Sequence, residues 1–318
     1  MRPRFPVLWA AYREHLLGID GGRRMAPTTV STYRKHCWAF AGFLGERPWW
    51  KAGPRDLVAF LDRPAPESRA GTRAANTRLQ IAVAVCGLYR WAHRQGLAPT
   101  DRMAAFILPR GGQPRPRGFD QAELRQILDG AAYDPRLHLL CWLGYGGGLR
   151  CIEMARLRAE QVDLRHDVME VCGKGDKWRP VPIVVPGLRV ALRHHLAGRP
   201  AAGPLVCSTQ PPYGPLSVRT VSMYLARHIQ AQPDPHRPGE YLKGSAHDLR
   251  HSLVWWLLEH GGEEHLLTIS LLIGHADPGI TAKVYALRYL GRAREVLACL
   301  PDPTRPDPRT FATKERST

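Results

Sequence analysis

Five side chains in the last third of the sequence combine in a pattern suited to attack on a phosphodiester. His247, Arg250 and His251 fall within five residues, Gly274-His275 follows, and Tyr285 lies ten residues beyond that histidine. On a helix, positions three and four apart share a face, so His247 can point the same way as Arg250 or His251. An arginine fork meets phosphate oxygens with two parallel hydrogen bonds, and imidazoles titrating near neutrality can move protons beside it. A tyrosine held in the same pocket supplies a nucleophilic oxygen. Such a set works without a metal.

The surrounding sequence shows what must position these groups. An apolar run, Leu253 to Leu258, ends at Gly261-Gly262, and a second closes on Gly274. Upstream, Leu139, Leu140, Trp142 and Leu143 read as core, Gly146-Gly147-Gly148 break the pattern, and Arg150 stands just past the break. A buried arginine there needs an anionic partner, either a ligand or Glu153 three residues on. The glycines are no phosphate-binding P-loop, because G-K-[ST] is absent. Residues 168–183 alternate around a turn at Gly173-Lys174-Gly175-Asp176, which predicts a hairpin. Asp120 with Glu123 predicts a helix start, and further helices are expected over 187–198 and near 218–232, with His194-His195 on the surface. A last amphipathic helix is expected after Tyr285, then a Pro- and Thr-rich tail.

The first third reads as helices. One begins at Pro27-Thr28-Thr29 and uses Val30, Tyr33, Trp38, Phe40 and Phe43 as its apolar side. Another opens at Pro54 with Val58, Phe60 and Leu61. A long one follows Gly71-Thr72, burying Leu79, Ala82, Val83, Cys86, Leu88, Tyr89, Trp91 and Ala92 and stopping at Gly96. Arg73, Asn76 and Arg78 at its start are either phosphate donors or a solvated helix end. Residues 109–118, rich in Pro, Gly and Arg, form a basic linker.

Charge separates the two parts. Residues 1–118 carry 20 Lys and Arg against 7 Asp and Glu, a net of +13, whereas residues 119–318 carry 25 against 21, a net of +4. Codon bias toward arginine does not explain the scarcity of acids in the first part, so that part is expected to face a polyanion. The seven scattered cysteines include no C-x-x-C, which indicates neither a disulfide framework nor a zinc knuckle. No apolar run reaches the roughly 18 residues of a membrane span, so no membrane partner is expected. The start is too short in apolar residues for a secretory signal. From these features the expected compartment is a reducing cytoplasm.

H-x-x-R-H, an apolar helix, L-x-G-H and a downstream tyrosine together resemble the tyrosine site-specific recombinases, the phage integrase family. G-L-R-x-x-E-x-x-x-L at Arg150 resembles that family's first motif, with Gly147 where Thr is usual. G-K-G-x-K-x-R-x-V-P at Lys174 resembles its hairpin motif, and T-x-x-x-N-x-R in the first third resembles its core-binding domain. The resemblance implies a mainly α (α+β) fold: an N-terminal helical SAM-like core-binding domain over 1–108 that clamps DNA, the linker 109–118, an α-rich catalytic domain with a small antiparallel sheet over 119–300, and a flexible tail, 301–318.

The reaction implied is DNA strand breakage and rejoining through a 3′-phosphotyrosine, serving integration, excision or transposition of a mobile element. Arg150 and Arg250 would hold non-bridging oxygens, Lys174 would protonate the leaving 5′ oxygen, and His247 would help deprotonate Tyr285. His275 would touch the phosphate or orient the site, and Lys177 and Arg179 would be supporting phosphate contacts. No cofactor or metal is implied. The partners would be double-stranded DNA and three further copies in a homo-tetramer at the nucleoid, with the C-terminal helix docked on a neighbour.

The family interval from the histidine to the tyrosine is nine, and here it is ten. Tyr289, on the same helix face, therefore competes with Tyr285. Three rival readings remain: a metal hydrolase built on H-D-L-R-H, a type IB topoisomerase-like strand transferase, and a DNA-binding protein without catalysis.

Overall fold

The computed structural model describes residues 2–21, 24–64, 71–112, 118–173, 176–197, 200–209, 214–261 and 266–274. The chain divides into two compact units, Met1–Gln113 and Pro114–Thr318. Among the described residues it is mostly helical with one three-stranded antiparallel sheet.

Among its described residues the first unit holds four α-helices: α1 (Phe5–Leu17), α2 (Pro27–Leu44), α3 (Pro54–Leu61) and α4 (Ala75–Arg94). The first three carry proline in their first turn, where a missing N–H costs nothing. Leu8, Phe40, Leu57, Phe60, Val85 and Tyr89 are at its centre, and the Tyr89 hydroxyl donates to the Trp49 carbonyl at 2.6 Å.

Three expected core positions are exposed: Trp38, Val58 and Val83. The buried stripes run one or two positions away, through Cys37 in α2, Leu57 in α3 and Ile81, Ala84 and Val85 in α4. Hydropathy alone does not reveal that rotation, because tight helix contacts favour the smaller Cys37 and Ala84. Trp38 instead meets the Phe5 ring edge-on, 5.4 Å between centroids.

The arginines before and within the first turn of α4 also differ from the phosphate-donor expectation. Arg73 donates to the carbonyls of Phe60 and Leu61, with its guanidinium 4.7 Å over the Phe60 ring. Arg78 donates to Leu61 O at 3.0 Å and pairs with Asp62 at 2.7 Å. Both close the last carbonyls of α3, the negative end of that helix.

In the second unit, α5 (Gln121–Gly130) starts from Asp120, whose carboxylate accepts from the Glu123 N–H while Glu123 accepts from the Asp120 N–H. Then come α6 (Pro135–Tyr145), α7 (Cys151–Arg156), β1 (Val162–Asp163), β2 (Val168–Cys172), β3 (Trp178–Pro182), α8 (Pro186–Leu196), α9 (Val218–Ala231), α10 (Ala246–Gly261) and α11 (Leu266–Ile273). The sheet order is β1-β2-β3, with Met169 opposite Val181 and Cys172 opposite Trp178. Helix α6 is buried along Leu139, Leu140 and Leu143, and α8 and α10 pack on it. His195 is a correction to the surface expectation. It is buried, with Nε2 2.8 Å from the Leu205 carbonyl, a bond that lets an imidazole sit in the core.

Candidate active site

Four elements meet around the end of α11. The first contribution comes from the glycine break after α6. Gly148 sits at φ +61°, a left-handed conformation that only glycine adopts freely, and it turns the chain so that Arg150 precedes α7. Arg150 is the extended residue before that helix. Glu153 then closes the helix start in two ways. Oε2 accepts the Arg150 backbone N–H at 2.8 Å, and Oε1 accepts Arg150 Nη1 at 2.9 Å.

Glu153 is 1% exposed, so its charge needs full compensation. Arg179 of β3 supplies the rest, donating from Nη1 and Nη2 at 3.0 Å each. Burial alone pushes the Glu153 carboxyl up. The Arg179 fork, the Arg150 N–H and the two positive charges outweigh it, so its pKa lies below the ordinary carboxylate value. The ion pair between Arg150 and Glu153 is therefore present, yet the Arg150 side chain keeps 27% exposure and its Nη2 reaches on to Gly274 O at 3.2 Å.

Helix α10 contributes next. Ser245 donates its N–H and hydroxyl to Asp248 at 2.7 and 2.9 Å, which fastens the helix start. His247 and His251 then stack edge to face at 4.4 Å, one turn apart. Arg250 is only 2% exposed and donates to the carbonyls of Gly148 and Ile273. His247 is held below the ordinary histidine value, first by the protein packed around it and then by the Arg250 charge. Asp248 opposes the shift and Arg150 adds to it. The imidazole is therefore neutral at pH 7 and can accept a proton.

Arg150, Arg250 and His247 thus converge. Lys174, His275, Tyr285 and Tyr289 lie outside the described residues, as do the expected last helix and the tail. Lys174 falls between β2 and β3, whose ends are closed by Gly173 N–H to Lys177 O at 2.8 Å. Arg179 differs from its expected role as a phosphate contact, because its fork and Nε are spent on Glu153 and on Leu272 O at 2.9 Å. The sequence offered Glu153 as a partner for Arg150, and what it did not reveal is that Arg179 shares the same carboxylate. The position of Glu153 three residues after an extended residue was the available signal for the pairing with Arg150, since that spacing suits a helix-start carboxylate. Among the described residues no cluster of three His, Cys, Asp or Glu is disposed to hold a metal.

Residues 117–289 match the Phage integrase family, and residues 12–96 match the Phage integrase, N-terminal SAM-like domain. Tyrosine recombinase XerC of Pseudomonas fluorescens is 32% identical over 281 residues, covering 84% of this chain and 87% of that protein. Tyrosine recombinase XerD of Pseudomonas aeruginosa is 30% identical over 284 residues, covering 85% and 89%. Among solved structures, a lambda integrase dimer bound to a COC′ core site superposes with a TM-score of 0.68 at 19% identity, over 89% of this chain and 77% of that one. The Tn1549 transposon integrase, in complex with transposon right end DNA, gives 0.69 at 14% identity, over 92% and 98%. At these identities the structural likeness is one of fold. The family match spans more than half the chain and the recombinase relatives cover most of both lengths, so this chain belongs to the phage integrase family.

Proposed function

We propose that this member of a DNA-cleaving and DNA-rejoining family acts on specific double-stranded sites through Tyr285. The observation that carries this reading is the convergence of Arg150, Arg250 and His247 on one point of the second unit. The Tyr285 oxygen attacks phosphorus as its proton passes toward His247. The bond to the 5′ oxygen breaks, Lys174 protonates that oxygen, and a 3′-phosphotyrosine remains. A 5′ hydroxyl from a partner strand then attacks it and releases the tyrosine, so the number of phosphodiester bonds is unchanged and no nucleotide cofactor is consumed.

Arg150 and Arg250 stabilise charge building on the non-bridging oxygens, and loss of one such donor costs on the order of 10²–10³ in rate. His275 completes the phosphate contacts. The basic residues 1–108 and the linker 109–118 form the clamp on DNA, and residues 119–300 carry the chemistry. Four copies assemble on two paired sites, and the chain acts in the cytoplasm at the nucleoid in moving a mobile element. Among the described residues no helix is long and apolar enough to cross a membrane.

The test is covalent capture. The full chain is incubated with sheared genomic DNA from the organism that carries its gene, denatured, and the protein-linked ends are sequenced. Adducts at the 3′ ends of a recurring site support the reading, and their absence under conditions of tight binding sinks it.

Binding to DNA should weaken by on the order of 10³ between 50 and 200 mM salt if the first unit tracks phosphates. A flat titration over that range would remove the clamp. The rate of adduct formation should rise with pH through a midpoint below 6.5, the ordinary histidine value, and then level off. The sign follows from the lowered pKa: the neutral imidazole is the active form, and lowering the pKa extends its range to more acidic solution. A rate–pH profile whose acidic limb lies above 6.5 would count against His247 as the acceptor.

A further inference from the structure

Three successive carbonyls at the end of α11 are each held by a different arginine. Leu272 O accepts from Arg179 of β3 at 2.9 Å, Ile273 O from Arg250 of α10, and Gly274 O from Arg150 before α7 at 3.2 Å. These oxygens lack partners within their own helix and form the negative pole of its dipole, so three guanidiniums there are electrostatically matched. The arrangement ends at Gly274, one residue before His275. Gly274 stands at φ +66°, and a Cβ on it would lie 3.2–3.3 Å from the Arg179 guanidinium. The left-handed backbone favours glycine there, and a side chain would press on that guanidinium.

The three arginines are not equivalent. Arg150 and Arg250 belong to the proposed phosphate site, and a bound phosphate competes with Gly274 O and Ile273 O for their donors. Arg179 has its fork on Glu153 and its Nε on Leu272 O, and its side chain is only 12% exposed.

We infer that Arg179 is a positioning residue for DNA cleavage, tying the end of α11 to Glu153 and through Glu153 to Arg150. The inference rests on the function proposed above. Arg179 keeps Leu272 in place while Arg150 and Arg250 turn to the phosphate, so the chain reaches His275 from a fixed origin. It also holds Glu153, so that the carboxylate orients Arg150 and does not draw it inward. A lysine cannot replace it, because one ammonium lacks the planar fork that spans two carboxylate oxygens while a third N–H reaches a carbonyl.

Full-length wild type, Arg179→Lys and Arg179→Ala are compared in two ways. Hydrogen exchange is followed across residues 266–274, with α6 as internal control for folding. Adduct formation on sheared genomic DNA is timed at saturating DNA, beside the DNA concentration for half-saturation. In Arg179→Lys, amides at the end of α11 are expected to exchange about tenfold faster with α6 unchanged. The saturated rate should fall about 10²-fold, the scale of a small misplacement of reacting groups, with half-saturation unchanged.

Unaltered exchange at 266–274 overturns the inference, and so does a loss that resides in binding with the saturated rate intact. Should wild type itself form no adduct, the proposed function fails, and the exchange measurement still decides whether Arg179 holds α11. If Arg179→Ala does not fold, the lysine variant carries both readouts.

Discussion

Tyr285→Phe is expected to abolish covalent attachment to DNA and to leave DNA affinity where it was. Phenylalanine keeps the ring and removes only the oxygen that would bond to phosphorus, so nothing in the clamp or in the arginine pair changes. The covalent bond to phosphorus forms only through that oxygen, and the expected loss is therefore to background. Tyr289→Phe is the necessary control, because the interval from His275 to Tyr285 is ten where nine is usual, and Tyr289 is the next tyrosine on. With Tyr285 as nucleophile, the Tyr289 variant still yields adducts at the same sequences. Adducts lost only in Tyr289→Phe would move the nucleophile by four residues and keep the rest of the mechanism. Adducts surviving in both variants would remove phosphotyrosine chemistry at this site.

The second large effect belongs to Glu153. Glu153→Ala leaves the guanidiniums of Arg150 and Arg179 facing each other across the space of a lost carboxylate that was 1% exposed. Removing one partner of a buried pair costs about 3–5 kcal/mol. The side chains of Arg150 and Arg179 retain 27% and 12% exposure, so water relieves part of the repulsion and the expected loss is about 3 kcal/mol. Urea unfolding followed at the tryptophans of the second unit measures it, and a loss under about 1 kcal/mol would show that the carboxylate is not holding the two arginines together.

The same group gives a pH dependence. Its folded pKa is depressed, so its contribution is complete above the ordinary carboxylate range and is lost as pH falls through the folded value. Glu153→Gln, which cannot titrate, should flatten that acid limb while retaining most of the packing.

How these residues find one another was only partly legible in the sequence. Local chemistry was legible wherever a short stretch determines its own geometry. Asp120 with Glu123 marks a helix start because both bonds close within one turn. Residues 168–183 mark a hairpin because alternation and a turn are nearest-neighbour properties. The motifs at Arg150 and at His247 to Arg250 were legible for the same reason, and with them the family.

What the chain does with its other arginines was decided by tertiary structure. Arg73 and Arg78 read equally well as phosphate donors, and only the approach of α3 turns them onto the carbonyls of Phe60 and Leu61. Arg179 sits in a basic motif beside Lys174 and Lys177, yet it reaches Leu272, 93 residues away, and Glu153, 26 residues away. His195 lacks any local sign of burial until the Leu205 carbonyl arrives to satisfy it. A guanidinium is equally at home on a phosphate, a carboxylate or a helix end. Its residue type therefore names the charge it seeks, and only the folded chain determines which one lies within reach.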